Sequence, residues 1–255
     1  MKRLVLPLCL LTVVFNLHSE SVYTYDLKKD IALSALSIGV NFSQYLLANP
    51  DRIPSNLNRN NVNIFDRGLM FPYNETLHII RDYYRFVLPV LPIITPLAGD
   101  IRKDFDTWLT YGFMYTQASL LTIGTTGLIW RSVYRNRPRQ YFWGAAEHPI
   151  DGDSFPSDTV AFSFLSATFL SVTFSKEYPE SLWKIPVIVG SYTLATGIGV
   201  LSVLSGMHFL TDVLAAAVIG SFYGWLIPTI HIKTNNENGI SFYFTGNGVI
   251  ISLKL

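Results

Sequence analysis

The chain has 255 residues, with 19 Lys and Arg against 18 Asp and Glu, so its formal net charge is +1. A charge this close to zero gives no extended basic surface for nucleic acid. Charged residues make up 15% of the sequence, against about 25% in soluble domains, and the mean hydropathy is +0.30. These values exclude a disordered chain and argue against an ordinary cytosolic enzyme. They predict a membrane-embedded protein of one domain, with room for about six spans.

The beginning of the chain has the features of a secretory signal. Lys2 and Arg3 precede an apolar run over 4–17, and the small residue Ser19 follows. A basic start, a short apolar stretch and a small polar exit are typical of a signal peptide, and the run is short for a spanning helix. We therefore predict a signal peptide over 1–19 and a membrane domain over 20–230. An uncleaved N-terminal anchor is the alternative.

Six apolar segments follow along the chain, at 31–48, 84–98, 108–130, 159–175, 185–204 and 209–228. The segment 108–130 contains no Asp, Glu, Lys, Arg or His and is long enough for a tilted span. The segment 31–48 carries Ser, Asn and Gln residues, which makes it a weaker candidate. The last four segments are predicted to be helices. The expected fold class is all-α, a transmembrane bundle of about six helices.

The sequence changes character after the last apolar segment. Two β-prone runs, Ile240–Phe244 and Val249–Leu253, flank a turn sequence of Thr, Gly, Asn and Gly. This pattern predicts a β-hairpin. The tail 231–255 is therefore expected to contain a short C-terminal hairpin.

Polar residues cluster at the ends of three apolar segments. The first cluster, Trp130–Arg139, reads W-R-S-V-Y-R-N-R-P-R and contains four arginines after the tryptophan. One guanidinium group can donate two hydrogen bonds to two phosphate oxygens, so this cluster is a candidate anion site. The alternative is a cytoplasmic loop that follows the positive-inside rule.

The second cluster, Gly152–Phe162, reads G-D-S-F-P-S-D-T-V-A-F and leads directly into an apolar run. Ser157 or Asp158 is a natural N-cap for the helix that begins there. The backbone N–H groups at a helix start also hold anions. A cap and an anion site are therefore compatible at this position.

The third cluster, Ser202–Asp212, reads S-V-L-S-G-M-H-F-L-T-D. His208 and Asp212 are four residues apart, so on a helix they share a face. A carboxylate there holds one ring nitrogen and raises the basicity of the other. Ionisable groups at the edge of an apolar segment are costly and usually functional. A purely structural His–Asp pair is the alternative.

Together and in this order, the three clusters resemble the signature of the type 2 phosphatidic acid phosphatase superfamily. That superfamily also includes vanadium haloperoxidases and lipid phosphate phosphatases. Its signature runs K-x-x-x-x-x-x-R-P, then P-S-G-H, then S-R-x-x-x-x-x-H-x-x-x-D. The resemblance covers about residues 60–228, including Asn63–Arg67. It implies a helical bundle, often of six spans, whose three motifs converge at one membrane face.

The resemblance also implies roles for four residues. His208 would take the phosphoryl group as the nucleophile, and Asp212 would orient it. Arg137 and Ser157 would bind phosphate oxygens. The implied substrate is a membrane lipid phosphate or diphosphate, and no metal or other cofactor is implied.

Four positions depart from the signature. Trp130 replaces the phosphate-binding lysine, and Ser202 replaces the second arginine. Asp158 and Thr159 replace Gly-His, whose histidine protonates the leaving oxygen. Removing one stabiliser of transition-state charge costs about 10²–10³ in rate, and losing a general acid costs about 10²–10⁴. We therefore expect a degenerate site with weak or altered activity.

Neighbouring residues are candidate substitutes for the missing groups. Arg131 is a candidate phosphate ligand if the helix end unwinds, because a shift of one residue turns a side chain by about 100°. Asp158 and His148 are candidate substitute acids, since nearby negative charge raises the pKa of a carboxyl group.

Two functions follow from these residues, and whether the chain is an enzyme stays open. The first is a membrane phosphatase of this superfamily with an altered site. The second is a non-catalytic relative that binds an anionic lipid headgroup through Arg137 or has a structural role. Either protein is expected as a multi-pass protein of the bacterial inner (cell) membrane.

Overall fold

The computed structural model describes residues 21–47, 57–98, 104–143, 153–233, 239–245 and 248–254. The predicted signal peptide and His148 lie outside these ranges. The α-helices of the described ranges are α1 (Leu27–Ser43), α2 (Ile64–Arg67), α3 (Glu75–Val87), α4 (Ile94–Leu97), α5 (Phe105–Ser132), α6 (Gln140–Trp143), α7 (Asp158–Glu177), α8 (Lys184–Leu204) and α9 (Leu210–Ile230). Short 3₁₀-helices cover Gln44–Leu46, Arg59–Asn61 and Leu88–Ile93.

The four helices predicted from apolar length are confirmed as α5, α7, α8 and α9. Side-chain caps start two of them. Asp104 accepts from Thr107 N at 3.1 Å before α5, and Ser157 accepts from Val160 N at 3.4 Å before α7. A cap satisfies N–H groups that the first turn leaves without partners, so it fixes where the apolar segment begins as a helix.

Three helices of the described ranges, α7, α8 and α9, are long and apolar enough to cross a membrane. The longest helix is α5, with 28 residues, and it is not one of these three. The chain is therefore a mostly helical protein with apolar helices of membrane-spanning length. The expected total of about six spans stays a prediction.

The apolar segment 84–98 is not one continuous helix. α3 ends at Val87, and the chain continues as a 3₁₀-helix and then as the short α4. Three prolines, Pro89, Pro92 and Pro96, lie in this stretch. Proline lacks the N–H group that the interior of an α-helix needs, so the segment breaks into short pieces.

The helix α7 packs against α5, α8 and α9. Glycines bring α9 close to it. A Cβ atom at Gly220 would lie 1.9 Å from Ala161 O, and one at Gly224 would lie 2.7 Å from Leu165 O. Small residues permit such close backbone approach, which is how helices associate in an apolar medium.

The start of α7, the end of α8 and the start of α9 lie at the same end of the bundle. Ser157 N donates to Asp212 O at 3.4 Å, which joins α7 to α9. α3 packs against α8, and Asn74 N, just before α3, donates to Ser205 O at 3.2 Å. The second and third polar clusters of the sequence therefore meet at this end.

Two strands follow α9 in the sequence. β1 (Gly239–Thr245) and β2 (Gly248–Lys254) pair in antiparallel fashion, with Gly239 opposite Lys254. The turn residues 246–247 lie outside the described ranges, so the complete hairpin stays a prediction.

Candidate active site

His208 lies in the loop that joins α8 to α9. Its backbone N–H donates to Ser202 O at 3.1 Å, which turns the chain back on itself. Gly206 has a positive φ of 70° in this turn, a conformation that only glycine adopts without strain. A Cβ atom at this glycine would also lie 2.6 Å from Phe71 O. The sequence thus buries the imidazole at the end of the bundle, with 2% of the residue exposed.

The two ring nitrogens of His208 have different partners. Nδ1 lies 2.8 Å from Ser154 O. A carbonyl oxygen only accepts hydrogen bonds, so Nδ1 carries the hydrogen and donates it. Nε2 is then the nitrogen with the lone pair, and it lies 3.4 Å from Nη1 of Arg137, which only donates.

Asp212 holds the residues around His208 more closely than it holds the imidazole itself. Its Oδ2 accepts from Ser154 Oγ at 2.5 Å and from Phe209 N at 2.8 Å. The distance from this oxygen to Nδ1 of His208 is 3.8 Å. The carboxylate is fully buried, and it positions His208 mainly by fixing Ser154, whose carbonyl accepts from the ring.

Arg135 joins two buried carboxylates. It donates to Asp66 Oδ2 at 2.5 Å, to Thr211 Oγ1 at 2.7 Å and to Asp212 Oδ1. Asp66 also accepts from Thr211 N at 3.0 Å and from Asn63 Nδ2 at 2.5 Å. Burial opposes ionisation of Asp66, but the hydrogen bonds from Thr211, Arg135 and Asn63 hold its pKa below the ordinary value. The network fixes α2 against the start of α9.

Arg137 places a second guanidinium beside Nε2 of His208. It donates to Asp153 Oδ1 from Nε and Nη2, at 3.2 and 3.1 Å, and to Met207 O at 3.4 Å. The side chain of Asp153 is 47% exposed, so solvent weakens this ion pair. A phosphate offers oxygens to the same guanidinium fork and can take the place of the carboxylate.

Ser157 and Trp130 shape the loop before α7. Ser157 is fully buried and serves as the N-cap. Trp130 Nε1 donates to Pro156 O at 2.7 Å. The residue at the position of the family's lysine therefore holds the loop that carries Ser157, and it brings no positive charge to the site.

The structure places Arg131 away from the His208 site. Its guanidinium donates to Leu47 O at 3.0 Å and lies 5.5 Å from the ring centroid of Tyr45, near the end of α1. The condition for its expected role was an unwound helix end, but α5 continues to Ser132. Its role as a phosphate ligand stays a prediction.

The other substituted positions are occupied by local contacts. Asp158 accepts from the N–H group of Thr159 at 2.6 Å, and its Oδ2 lies 4.0 Å from Arg85 Nη2. Ser202 is fully buried and donates to Ile198 O at 2.8 Å within its own helix. Thr159 is a buried residue of the first turn of α7. None of these three side chains contacts the imidazole of His208 in the described part of the chain.

The surroundings of His208 favour its neutral form. Burial is the largest influence and lowers the pKa of the imidazole, Asp212 raises it, and the positive charge of Arg137 lowers it further. The net shift is below the ordinary value. The lone pair on Nε2 is therefore available at neutral pH.

Sequence reasoning missed three groups of this site, namely the Ser154 carbonyl, Asp66 and Asp153. Ser154 and Asp66 lie within the residues that the family resemblance covers, but the signature does not indicate which side chains they contact. Asp66 and Arg135 are 69 residues apart, and no local pattern pairs residues over such a distance. Within the described ranges, no three His, Cys, Asp or Glu side chains are grouped as a metal site requires.

These features define a helical membrane protein with a buried histidine and two arginines at one end of its apolar helices. The sequence model of the PAP2 superfamily matches residues 107–236, which is 130 of the 255 residues. This chain belongs to the PAP2 superfamily. The matched range contains all but the first two residues of α5, the whole of α6 to α9, and all three polar clusters.

A solved structure is also similar, that of the first transmembrane PAP2-type phosphatidylglycerolphosphate phosphatase from Bacillus subtilis. The two chains are 20% identical, and the TM-score is 0.44. The match covers 79% of this chain and 94% of the other. A comparison with curated proteins finds no match.

Proposed function

We propose that this chain is a membrane phosphohydrolase that removes phosphate from a lipid phosphate or diphosphate through a phosphohistidine on His208. One observation carries the proposal. Nδ1 of His208 donates to the Ser154 carbonyl, and Nε2 lies 3.4 Å from Nη1 of Arg137. A nitrogen with a lone pair and a guanidinium that binds phosphate therefore lie side by side.

The reaction has two steps. In the first, His208 Nε2 forms a bond to phosphorus while the bond from phosphorus to the leaving oxygen breaks, and water gives that oxygen its proton. In the second, water attacks the phosphohistidine, inorganic phosphate leaves, and Nε2 recovers its lone pair. Arg137 holds the phosphoryl oxygens in both steps, and a cation fixed in advance needs no reorganisation during reaction.

Asp212 and Ser157 support these steps. Attack gives the imidazole of His208 a positive charge, and the carboxylate of Asp212, 3.8 Å from Nδ1, offsets it. Ser157 caps α7 at the same end of the bundle, and a helix start favours negative charge. The family resemblance implies, in addition, that Asp212 orients the imidazole and that Ser157 binds a phosphate oxygen.

Hydrolysis is expected to be slow because the leaving oxygen lacks a positioned proton donor. Thr159, at the position of the family's histidine, has no acidic proton to give. Asp158 pairs with Arg85, and His148 lies outside the described ranges. Losing a general acid lowers the rate by about 10²–10⁴.

The position of the site favours a lipid substrate. It lies where α7 and α9 begin and α8 ends, and these are the three helices long and apolar enough to cross a membrane. Lipid headgroups lie at the depth where such helices leave the hydrocarbon core. We further propose one membrane domain over 20–230, after a signal peptide, in the cell membrane of a bacterium.

A non-catalytic headgroup-binding protein is the second candidate function. One contact favours it: Arg137, the retained phosphate ligand, donates to Asp153 with two of its N–H groups. A carboxylate that competes with phosphate suits weak, reversible binding of an anionic headgroup.

Phosphate release from purified full-length protein distinguishes the two functions. Phosphatidic acid and a prenyl diphosphate would be offered in detergent micelles to the wild type and to His208→Ala. Exposed Arg59, which stacks on Phe142, supplies Arg59→Gln as a control outside the site. Slow release that His208→Ala abolishes, with an acid-labile phosphoprotein, would support the phosphohydrolase. Phosphate binding without release or phosphoprotein would establish the non-catalytic function instead.

A further inference from the structure

One face of α3 carries polar residues toward the His208 site. Positions 74, 78, 81 and 85 are spaced by four, three and four residues, so they form one stripe along the helix. The stripe is attached at both ends. Asn74 N donates to Ser205 O in the loop before His208, and Arg85 pairs with Asp158 at the start of α7. The residues between these attachments, His78 and Arg81, therefore lie beside the ends of the helices that form the site.

Arg81 is buried on this stripe with part of its guanidinium unused. The residue is 4% exposed. Its Nε and Nη2 donate to Asp82 Oδ1 at 3.1 and 2.8 Å. Its Nη1 is buried and has no hydrogen-bond partner within the described residues, and the same holds for Nδ1 of His78. A buried charged group with an unused donor is costly unless a ligand completes it.

The positive charge of Arg81 affects the pKa of His208. Burial is the main cause of the lowered pKa of His208, and Arg137 and Arg81 are the two cations that lower it further. Burial likewise lowers the pKa of Arg81, and both Arg137 and Asp158 act on it. Arg81, Arg137 and His208 therefore share one electrostatic neighbourhood.

We infer that Arg81 is a further anion ligand of the His208 site, with Nη1 donating to a phosphate oxygen beside Arg137. The inference rests on the proposed function for the identity of the site. It supplies from α3 a cation that the family signature places on α8, where this chain has Ser202. Because α3 packs against α8, an arginine on the neighbouring helix reaches the same end of the bundle.

This assignment changes the charge balance of the pocket. A phosphate monoester brings about two negative charges near neutral pH, and sequence matching provides one cation for them, Arg137. Arg81 is the second. The side chain of Asp82 is 38% exposed, so solvent reduces its hold on the guanidinium and a phosphate can share it.

Phosphate affinity tests the inference directly. Inorganic phosphate would be titrated calorimetrically into the full-length protein in detergent, with wild type, Arg81→Gln, Arg81→Lys and the Arg59→Gln control. A hydrogen bond to a charged group contributes enough to change affinity by roughly ten- to hundredfold. Arg81→Gln should therefore bind phosphate at least about tenfold more weakly, with Arg81→Lys between the two. Wild-type affinity in Arg81→Gln, or equal loss in Arg59→Gln, would overturn the assignment.

A second variant covers the case in which Arg81→Gln does not fold. Asp82→Asn removes the carboxylate that competes for the guanidinium, so phosphate should bind several-fold more tightly. Unchanged or weaker binding by a folded Asp82→Asn protein would contradict the inference. Circular dichroism and the thermal midpoint report whether each variant is folded.

Two further measurements identify the source of the phosphate and distinguish failure of this inference from failure of the proposed function. Micelles with phosphatidic acid should compete with inorganic phosphate, whereas phosphatidylcholine, which has no phosphate monoester, should not. Arg81-dependent phosphate binding without any phosphohistidine would overturn the catalytic function and leave the inference standing. His208-dependent turnover that Arg81→Gln leaves unchanged would support the catalytic function and overturn the inference.

Discussion

Two buried histidine–aspartate pairs lie at the two ends of α9, and their nitrogens are used differently. His208 comes just before α9 and His231 just after it, about 30 Å apart for a helix of 21 residues. His208 has one nitrogen on a carbonyl and the other beside Arg137. His231 has Nε2 on Asp30 Oδ1 at 2.6 Å and Nδ1 on Ile227 O at 2.8 Å. Both nitrogens of His231 therefore have oxygen partners within the fold.

Two histidines that are each buried beside an aspartate therefore differ in the partner of their second nitrogen. The Asp30–His231 pair holds a proton between its two partners and joins α1 to the end of α9. Gln117 Nε2 donates to the same carboxylate at 3.2 Å, so the pair is completely satisfied. The carboxylate of Asp212 is instead occupied by Ser154, Phe209 and Arg135, and the two nitrogens of His208 lie against the Ser154 carbonyl and Arg137.

The largest expected effect separates the two histidines by activity. His208→Ala should abolish both turnover and phosphoprotein formation, a loss of at least about 10³-fold, because the attacking nitrogen is removed. His231→Ala should retain phosphoprotein formation in whatever fraction of the protein stays folded. Rapid labelling with a radioactive phosphate donor, normalised to the amount of folded protein, measures phosphoprotein formation in both variants. Equal labelling of the two variants would break the comparison.

The second effect separates them by stability. Asp30→Ala leaves a buried imidazole without its carboxylate, and breaking a buried ion pair costs about 3–5 kcal/mol. We therefore expect a clear drop in the thermal midpoint in detergent, followed by circular dichroism. Lys28→Ala, at an exposed position two residues away, is the control and should lower the midpoint far less. Similar midpoints for the two variants would show that the Asp30–His231 pair is not a structural link.

A gain of activity is expected when the proton donor is returned. Asp158→Gly combined with Thr159→His recreates the family's Gly-His pair next to Ser157, and a general acid contributes about 10²–10⁴ in rate. Turnover of phosphatidic acid should rise by about 10²-fold if the pocket is intact. Adding Trp130→Lys and Ser202→Arg completes the signature. If Arg81 already serves as a ligand, Ser202→Arg should add little, since a second guanidinium would crowd the first.

A smaller effect is expected from the carboxylate beside His208. Asp212→Asn keeps the shape of the side chain but removes its charge from Arg135 and from the imidazolium that forms on attack. The Ser154 carbonyl still holds the Nδ1 hydrogen in place, so the loss in turnover should be about 10- to 100-fold rather than complete. Steady-state rates for this variant and His208→Ala, measured together, test the ranking. A loss as complete as that of His208→Ala would mean that Asp212 itself fixes the imidazole.

The smallest effect is a shift in pH dependence. Burial lowers the pKa of His208 below its ordinary value of 6.5, so Nε2 should remain unprotonated, and turnover should persist, at pH values below 6.5. Between the ordinary pKa of histidine in the unfolded chain and the lowered pKa of His208 in the folded chain, the unfolded chain binds more protons. Stability therefore declines as pH falls through the folded pKa. A rate profile whose acidic limb lies above pH 6.5 would contradict the neutral, buried imidazole.

The regular helices could be predicted from the sequence because their causes are local. Apolar length with little or no charge predicts α5, α7, α8 and α9. Ser157 or Asp158 was predicted to cap α7, and Ser157 is the residue that does so. The apolar segment 84–98, over which no single helix was predicted, contains three prolines and breaks into short helical pieces. His208 and Asp212 were predicted to share one face of a helix, but His208 lies in the loop before α9, and its Nδ1 is 3.8 Å from Asp212 Oδ2.

What the sequence determined by itself is therefore the family, the apolar helices and the identity of the histidine at the centre of the site. The tertiary structure decided which groups surround that histidine: the Ser154 carbonyl at Nδ1, Arg137 at Nε2, and Arg135 between Asp66 and Asp212. The physical reason is distance along the chain. Helices and caps depend on residues within a few positions of one another, whereas these partners meet only after the helices have packed.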